Sequence, residues 1–327
     1  MTTMAELSTR SEDPSTGGAQ ALPTDRIRLA RREFLESLEP LRPALHRYCR
    51  RLTGNVWDAE DVVQETLAQA FARAAESSGA IERPMAWLVR IATNAYLDAF
   101  RRPRPIPADI PDLAASDLVD TMEVRDALDE LATLLPPQER AALILKDVFD
   151  LSLSEIAAML ETTVGAVKAA LHRGRSRLTA DDRPVQLARR SRPDRQLLDA
   201  FAAAFSAYDI DAVAGLLMED AVSDVVGMVY EVGRETARTG SLHHTFVLET
   251  ERRYRAEVIE LDGEPLVVLW GRPSDEETAS EAIQDVLRID GADGKIARLR
   301  WYFFCPETIT EVAERLGVPA RPIGYHF

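Results

Sequence analysis

Hydrophobic and polar residues alternate along this chain with two different periods. From Arg26 to Arg102, and again from about Thr121 to Leu178, apolar residues recur every three or four positions, as Leu88, Ile91 and Ala95 do. This spacing predicts helices with one buried face. After residue 194, two more helical stretches precede short runs rich in Val, Ile, Leu and Tyr, which predict strands.

Capping residues indicate where several of these helices begin and end. Gly54 closes "REFLESLEPLRPALHRYCRRLTG" as a C-cap, and Asn55 opens the next helix as an N-cap. Ser152 and Glu155 form a capping-box pattern before the short helix "EIAAML". A new helix is expected to begin near Thr163, so the short helix, the tight turn and the second helix have helix-turn-helix spacing.

Proline-rich and polar segments divide the chain. We predict a disordered leader (1–25), a helical region (26–102), a linker (103–120), a second helical region with the helix-turn-helix (121–180), a second linker (181–193) and a C-terminal domain (194–327). The predicted fold class is therefore multidomain: two all-α regions, then an α+β domain with helices followed by a curved antiparallel sheet.

Charge is distributed unevenly between these parts. The net charge is −15, of which −12 belongs to residues 194–327. The stretch "TTVGAVKAALHRGRSRL", residues 162–178, nevertheless contains no acidic residue. Such a helix suits the major groove of DNA, because cations neutralise phosphates that acids would repel. A basic helix face exposed only to water is the alternative.

Positions within this helix suggest how it would meet DNA. The N-terminal half of a recognition helix reads bases. We expect Thr163, Val164 and Lys168 nearest the bases, and the remaining cations nearer the phosphates: His172, Arg173, Arg175 and Arg177.

Composition gives no indication of a cofactor, a metal site, a disulfide or a membrane partner. Cys49 and Cys305 lie far apart without a CxxC pairing, and each is expected to be a small buried residue. The N-terminus has no signal-peptide pattern, and no apolar run approaches the roughly 18 residues of a membrane span. We therefore expect a cytoplasmic protein.

The helical regions resemble the extracytoplasmic-function sigma factors, which are small subunits of bacterial RNA polymerase. "LATLLPPQERAALILKDVFDLSLSEIAAMLETTVGAVKAALHRGRSRL" is similar to their region four, which reads the −35 promoter element. "LHRYCRRLTGNVWDAEDVVQETLAQAFARA" and "RPMAWLVRIATNAYLDAFRR" are similar to region two, which binds polymerase and opens the −10 element. The family's partners are core polymerase, through its β′ coiled coil and β flap, promoter DNA and, as a further candidate, an anti-sigma factor.

The resemblance also assigns expected roles to residues of region two. An acidic helix face, with Val62, Val63 and Leu67 packed inward, would dock on the β′ coiled coil through Asp58, Glu60, Asp61, Gln64 and Glu65. The alternative is a solvent-exposed first helical turn in which the helix dipole stabilises acidic residues, but it would explain only Asp58 and Glu60. The residues expected at the −10 element are Arg90, Asn94, Asp98, Arg101 and Arg102, although the last two could equally be a charged helix end. Ala170 departs from the family, whose recognition helices often have a basic residue at that position.

Residues 194–327 resemble the fold of polyketide cyclases, ketosteroid isomerase and nuclear transport factor 2 (the SnoaL/NTF2-like cone), in which a sheet and helices enclose an apolar pocket. Alignment places Phe201 at the isomerase's helix tyrosine and Val225 at its base aspartate, and Asp224 would point to the opposite face. His243 and His244 are alternative acid–base candidates, although adjacent histidines in a polar stretch more often lie at a surface. We therefore expect no enzymatic activity.

The sequence thus predicts a sigma factor that binds core polymerase and selects promoters. We expect its C-terminal domain to pack on the sigma regions and to modulate them, with opposite charges guiding the contact. The alternative is a stand-alone helix-turn-helix regulator that senses a small ligand through the C-terminal pocket.

Overall fold

A computed structural model describes residues 23–76, 81–99, 135–149, 151–179, 193–248, 253–272 and 280–325. The predicted linker 103–120 and nearly all of the linker 181–193 lie outside these residues, as do residues 1–22 of the predicted leader. Among the described residues, no helix has the length and apolarity needed to cross a bilayer.

The first helical region contains four α-helices. They are α1 (Pro23–Leu38), α2 (Arg42–Thr53), α3 (Val56–Glu76) and α4 (Pro84–Asp98), with a short 3-10 turn, Glu39–Leu41, after α1. Helix α1 therefore begins inside the stretch that the sequence assigned to the leader. The predicted caps are confirmed, because Gly54 has a left-handed φ of 80° and the Asn55 Oδ1 accepts a hydrogen bond from the Asp58 N–H at 2.8 Å.

The second helical region contains the predicted helix-turn-helix. Helix α5 (Pro137–Leu143) continues into a π turn (Ile144–Val148), followed by α6 (Leu153–Met159) and α7 (Val164–Thr179). Ser152 and Glu155 form the capping box at α6, and the Thr163 Oγ1 accepts a hydrogen bond from the Ala166 N–H at the start of α7. The two helical regions share one hydrophobic core, which extends from Leu35 to Leu171.

The C-terminal domain contains helices and a six-stranded sheet. Its elements are α8 (Arg195–Ser206), α9 (Ile210–Leu216), β1 (Leu217–Val225), β2 (Val229–Val232), α10 (Arg234–Thr239), α11 (Ser241–His243, continued by a π turn, His244–Leu248), β3 (Tyr254–Leu261), β4 (Glu264–Gly271), β5 (Ala282–Ala292), β6 (Lys295–Trp301) and α12 (Pro306–Leu316). The α+β class is confirmed.

The expectation of a wholly antiparallel sheet is wrong. The strand order is β2-β1-β6-β5-β4-β3, and β1 pairs with β6 in parallel while the other pairs are antiparallel. The chain reaches β6 only after completing the β3–β4–β5 meander, so β6 enters beside β1 in the same direction.

The two faces of this sheet pack against different partners. One face packs on α8, with Phe201, Phe205 and Trp301 in a common apolar cluster. The other face packs on α12, in a cluster that also includes Val56 and Trp57 from the start of α3. The core of the C-terminal domain therefore continues into the first helical region.

Candidate DNA-binding and docking surfaces

Helix α7 presents the seven residues predicted at the −35 element on its outer side. Arg177 is half-buried, and the other six are exposed: Thr163, Val164, Lys168, His172, Arg173 and Arg175. The inward positions are Val167, Ala170, Leu171 and Gly174, all of which are buried. Ala170 is 1% exposed, so the position where the family often has a basic residue belongs to the packed side of this helix.

Ion pairs hold part of the basic surface in place. Glu139 on α5 is buried and pairs with the Arg173 Nε at 2.8 Å and with the Arg177 Nε at 3.1 Å. Arg175 pairs with Asp147 at 2.8 Å. These contacts orient three arginines along one side of α7, where each guanidinium keeps donors that can reach phosphate oxygens.

The −10 residues are less accessible than the sequence predicted. Arg90 and Asn94 were expected outside the apolar stripe of α4, but they are only 2% and 8% exposed. The second helical region covers Asn94, because its turn before α7 places the Glu161 Oε1 3.4 Å from the Asn94 Nδ2. Asp98 is exposed, whereas Arg101 and Arg102 lie outside the described residues.

The acidic side of α3 is also partly covered. Val62, Val63 and Leu67 pack inward as predicted, but Glu60 is wholly buried, which corrects its expected place on an exposed face. The Glu60 carboxylate accepts hydrogen bonds from the Arg42 Nη2 at 2.5 Å and from the Gln64 Nε2 at 2.6 Å.

The remaining docking residues differ in accessibility. Asp61 is half-buried and pairs with Arg300 on β6 at 2.6 Å. Asp58 is half-buried, and its Oδ2 accepts a hydrogen bond from the Asn55 side chain. Gln64 lies against Gly227, whereas Glu65 is exposed.

The C-terminal domain makes these contacts through a surface that we call the interdomain contact. It joins the first helical region to the C-terminal domain. Its residues include Arg42, Arg50, Trp57, Glu60 and Asp61 on one side, and Arg288, Arg300, Tyr302, Glu307, Thr308 and Glu311 on the other.

Its centre combines an ion pair with aromatic stacking. The Arg50 Nε donates to the Glu311 Oε1 at 2.7 Å, and both side chains are buried. The Trp57 and Tyr302 rings lie 5.0 Å apart, with the Arg288 guanidinium 4.9 Å from the Trp57 ring. Burial raises the pKa of Glu307, although the Arg42 charge opposes that shift.

The chain beyond α12 extends this contact. Tyr325 lies under the Arg42 guanidinium, with the ring centroid 4.6 Å away, and donates a hydrogen bond to the Glu307 carboxylate. Sequence reasoning missed α12, although Glu307 and Glu311 stand one helical turn apart in "PETITEVAERL" after a proline suited to a helix start.

A cavity of about 500 Å³ opens on the α8 side of the sheet. Val225 lines it, whereas Asp224 lies on the opposite face and pairs with Arg298 and Arg300 at 2.6 and 3.0 Å, as strand alternation predicts. Phe201 is wholly buried in the core. Glu231 and Asp285 both line this cavity with carboxyl groups, and sequence reasoning singled out neither. The signal for Asp285 is an acidic residue inside the apolar run of β5.

Comparison with known proteins defines the class of this chain. Residues 38–105 match the family model described as "Sigma-70 region 2", and residues 125–178 match "Sigma-70, region 4". These matches coincide with the two helical regions, so the chain carries sigma-70 regions two and four in that order.

Curated relatives narrow the class to a family. The chain is 34% identical over 161 residues to ECF RNA polymerase sigma factor SigD of Mycobacterium tuberculosis, covering 45% of this chain and 76% of SigD. It is 36% identical over 227 residues to SigG of the same species, covering 59% of this chain and 61% of SigG. The chain belongs to the extracytoplasmic-function (ECF) sigma factors. The match spans only about three fifths of SigG.

Solved structures of low similarity cover either most of the chain or one end of it. SigJ of M. tuberculosis covers 82% of this chain and 95% of its own, at 22% identity and a TM-score of 0.32. An NTF2-like protein of Cytophaga hutchinsonii covers 35% of this chain and 93% of its own, at 14% identity and a TM-score of 0.26.

Proposed function

We propose that this chain is a promoter-specificity subunit that binds core RNA polymerase and promoter DNA and catalyses no reaction of its own. The observation that carries the proposal is the acid-free outer side of α7, presented by a helix-turn-helix in a chain that also has sigma region two. Thr163, Val164 and Lys168 meet base edges of the −35 element, and the other cations of α7 meet phosphates.

Region two would supply the polymerase contact and the −10 contact. Asp58, Asp61 and Glu65 offer carboxylates to a basic partner, with Glu60 joining them once the C-terminal domain has moved away. Arg90 and Asn94 would likewise contact DNA after the turn at Glu161 separates from α4. The arrangement described above is therefore a closed form, and initiation requires it to open.

The C-terminal domain would set how often the closed form opens. Its contact with Glu60 and Asp61 competes with polymerase for the same side of α3. An anti-sigma factor that recognises region two or region four remains a candidate partner; the sigma factor RpoE of Bartonella quintana, 24% identical to this chain and with a TM-score of 0.31, was solved with the anti-sigma factor NepR.

Run-off transcription with core polymerase tests the proposed function. The full chain, the chain ending at Asp182 and the full-length Lys168→Ala variant would be compared on one promoter template, with core binding measured in parallel. We expect core binding by all three and weaker promoter-dependent transcription by Lys168→Ala. Arg195→Ala removes an exposed cation of α8 that pairs with Asp199 at 2.9 Å, and it serves as the matched control.

The second candidate function is a stand-alone regulator that reads DNA through α7 and a ligand through the C-terminal cavity. DNA binding without any binding to core polymerase, by either the full or the shortened chain, would reject the sigma proposal in favour of this regulator.

A further inference from the structure

The cavity of the C-terminal domain is lined mainly by apolar side chains. Val225 and Leu269 contribute from strands, Trp301 and Phe303 from the end of β6 and just beyond it, and Ile323 from the chain after α12. Met228 and Val229 also line it, although they are 46% and 42% exposed, which gives the opening an apolar rim. A volume of about 500 Å³ lies within the range of small-molecule sites.

In this cavity, one carboxyl oxygen of Asp285 has no hydrogen-bond partner among the described residues. Asp285 is wholly buried and lies on the same side of β5 as Leu287, which faces α8. Its Oδ1 accepts a hydrogen bond from the Val286 N–H at 2.7 Å, but among the described residues its Oδ2 has no hydrogen-bond partner. A buried polar atom left without a partner costs about 1–3 kcal/mol, so a ligand that supplies one gains from it.

The protonation state of Asp285 determines which partner it needs. Burial raises the pKa of this carboxyl well above its ordinary value, although the backbone N–H groups of Val286 and Tyr302 oppose the shift. A neutral carboxylic acid carries one O–H donor. The missing partner is therefore a hydrogen-bond acceptor.

Four polar side chains in and beside the cavity wall, those of Trp301, Ser223, Ser241 and Glu231, bond to one another. The Trp301 Nε1 donates a hydrogen bond to the Ser223 Oγ at 3.1 Å. The Ser223 Oγ in turn lies 2.9 Å from the Ser241 Oγ. Ser241 donates through its Oγ to the Glu231 Oε2 at 2.6 Å and through its backbone N–H to the Oε1 at 2.9 Å. Since these groups already have hydrogen-bond partners, a ligand need not supply hydrogen bonds to them.

The charge of the lining argues against an anionic ligand. Among the described residues that line the cavity none is Lys or Arg, and Glu231 adds a carboxylate. His244 is exposed at the edge. A ligand charge would find no compensating cation inside, so burying an anion here would be costly.

We propose that this cavity binds an uncharged, largely apolar small molecule whose carbonyl, or equivalent acceptor, receives a hydrogen bond from Asp285. The apolar walls supply most of the binding free energy, and Asp285 fixes which end of the molecule enters first. The inference does not depend on the proposed sigma function, because it concerns the opposite face of the sheet from the interdomain contact.

Fluorescence titration of the full chain with prodan, an uncharged naphthyl ketone, tests the proposal. We expect saturable binding with a blue-shifted emission maximum, because the probe leaves water for an apolar site. 2-Acetylnaphthalene should displace prodan about tenfold better than 2-ethylnaphthalene, which has a similar shape without the carbonyl, since one buried hydrogen bond is worth roughly 1–2 kcal/mol.

Variants of the carboxyl assign the effect to Asp285. Asp285→Asn keeps a neutral donor and should retain binding within about threefold, whereas Asp285→Leu should weaken it about tenfold and abolish the preference for the ketone. Asp290→Leu makes the same exchange on β5 at a half-exposed residue outside the lining, and should change nothing.

Three results would overturn the proposal. They are the absence of saturable binding, equal displacement by the two naphthalenes in the unaltered chain, and unchanged ketone preference in Asp285→Leu. The absence of saturable binding would mean that the cavity holds water only, and that a water molecule is the hydrogen-bond partner of Asp285. The competitor pair requires no substitution, so a variant that fails to fold leaves the test intact.

Discussion

Glu60 and Arg42 form the most deeply buried ion pair of the interdomain contact. Their atoms approach to 2.5 Å, and their side chains are 0% and 5% exposed. Burying two charges is costly, and the cost is offset only while both remain and their other atoms find partners. Thr308 supplies one such partner to Glu60 from the C-terminal domain, at 3.4 Å.

Replacing Glu60 by Gln should therefore destabilise the fold strongly. The exchange leaves the Arg42 charge buried beside a neutral amide, with the Glu307 carboxylate 3.8 Å from the Arg42 Nε, and we expect the free energy of unfolding to fall by about 2–4 kcal/mol. Urea denaturation of the full chain measures it. Glu65→Gln removes an exposed carboxylate from the same helix and should shift the free energy by less than about 0.5 kcal/mol. Equal effects of the two exchanges would contradict the role given to burial.

Asp285 should make stability depend on pH in a direction opposite to that of most carboxylates. Its folded-state pKa is raised, so above pH 4 the unfolded chain ionises while the folded chain resists, and stability is lost as pH rises toward the folded pKa. Asp285→Asn cannot ionise in either state. We expect the unaltered chain to lose free energy of unfolding relative to Asp285→Asn between pH 5.5 and pH 8, by urea denaturation. A difference that stays constant with pH would disprove this.

At the scale of elements, the predicted helices follow from signals that lie within a few residues of one another. Caps at Gly54, Asn55 and Ser152 are local, and they occur in the structure as expected. The parallel pairing of β1 with β6 joins strands about 75 residues apart, as in Asp224 opposite Arg300, and neither strand's own pattern encodes that neighbour.

The candidate sites were predictable to a similar extent. The outward side of α7 follows from helical spacing, and its exposed cations agree with it. Glu60 contacts Thr308 of the C-terminal domain, and Asn94 contacts Glu161 of the second helical region. The periodicity of α3 and α4 cannot reveal such contacts between distant parts of the chain. Asp285 escaped notice because an isolated acid in a strand looks like a solvent-facing position.

Helix α7 allows a direct test of its phosphate contacts. Arg175→Ala removes an exposed cation assigned to the phosphates, so it should lower promoter affinity and reduce the slope of log affinity against log salt by about one, because one fewer counterion is released. Binding measured between 50 and 200 mM salt gives the slope. Arg195→Ala should leave the slope unchanged, and a slope unaffected by Arg175→Ala would exclude an ionic phosphate contact at that residue.

At the scale of the whole molecule, the proposed function implies that polymerase binding depends on whether the interdomain contact is formed. The Arg50–Glu311 pair is buried only while the domains are together. When the domains separate, Arg50 returns to water. A variant that lacks Glu311 loses the ion pair that favours the closed form and leaves the Arg50 charge buried without that partner, so the equilibrium shifts toward the open form.

We therefore expect Glu311→Ala to strengthen the binding of the full chain to core polymerase by at least about tenfold, because removing one partner of a buried ion pair costs more than the roughly 1.4 kcal/mol that a tenfold change requires. Titration of labelled chain with core polymerase measures it. Arg315→Ala removes a cation of the same helix that pairs with Asp262 in the β3–β4 turn at 2.8 Å, and it should have no effect. Weaker or unchanged binding by Glu311→Ala would show that the C-terminal domain does not compete with polymerase.

The alternation of side chains along β5 also bears on how this protein can change over evolution or in the laboratory. Asp285 lines the cavity and Leu287 lies on the same side of β5, whereas Val286 and Arg288 lie on the side of Trp57 and α12. Adjacent codons therefore specify separate properties. Under the proposal above, a mutant library at Asp285 and Leu287 would vary ligand preference and leave the contact between the domains unchanged. A library at Val286 and Arg288 would vary the contact between the domains and leave ligand preference unchanged.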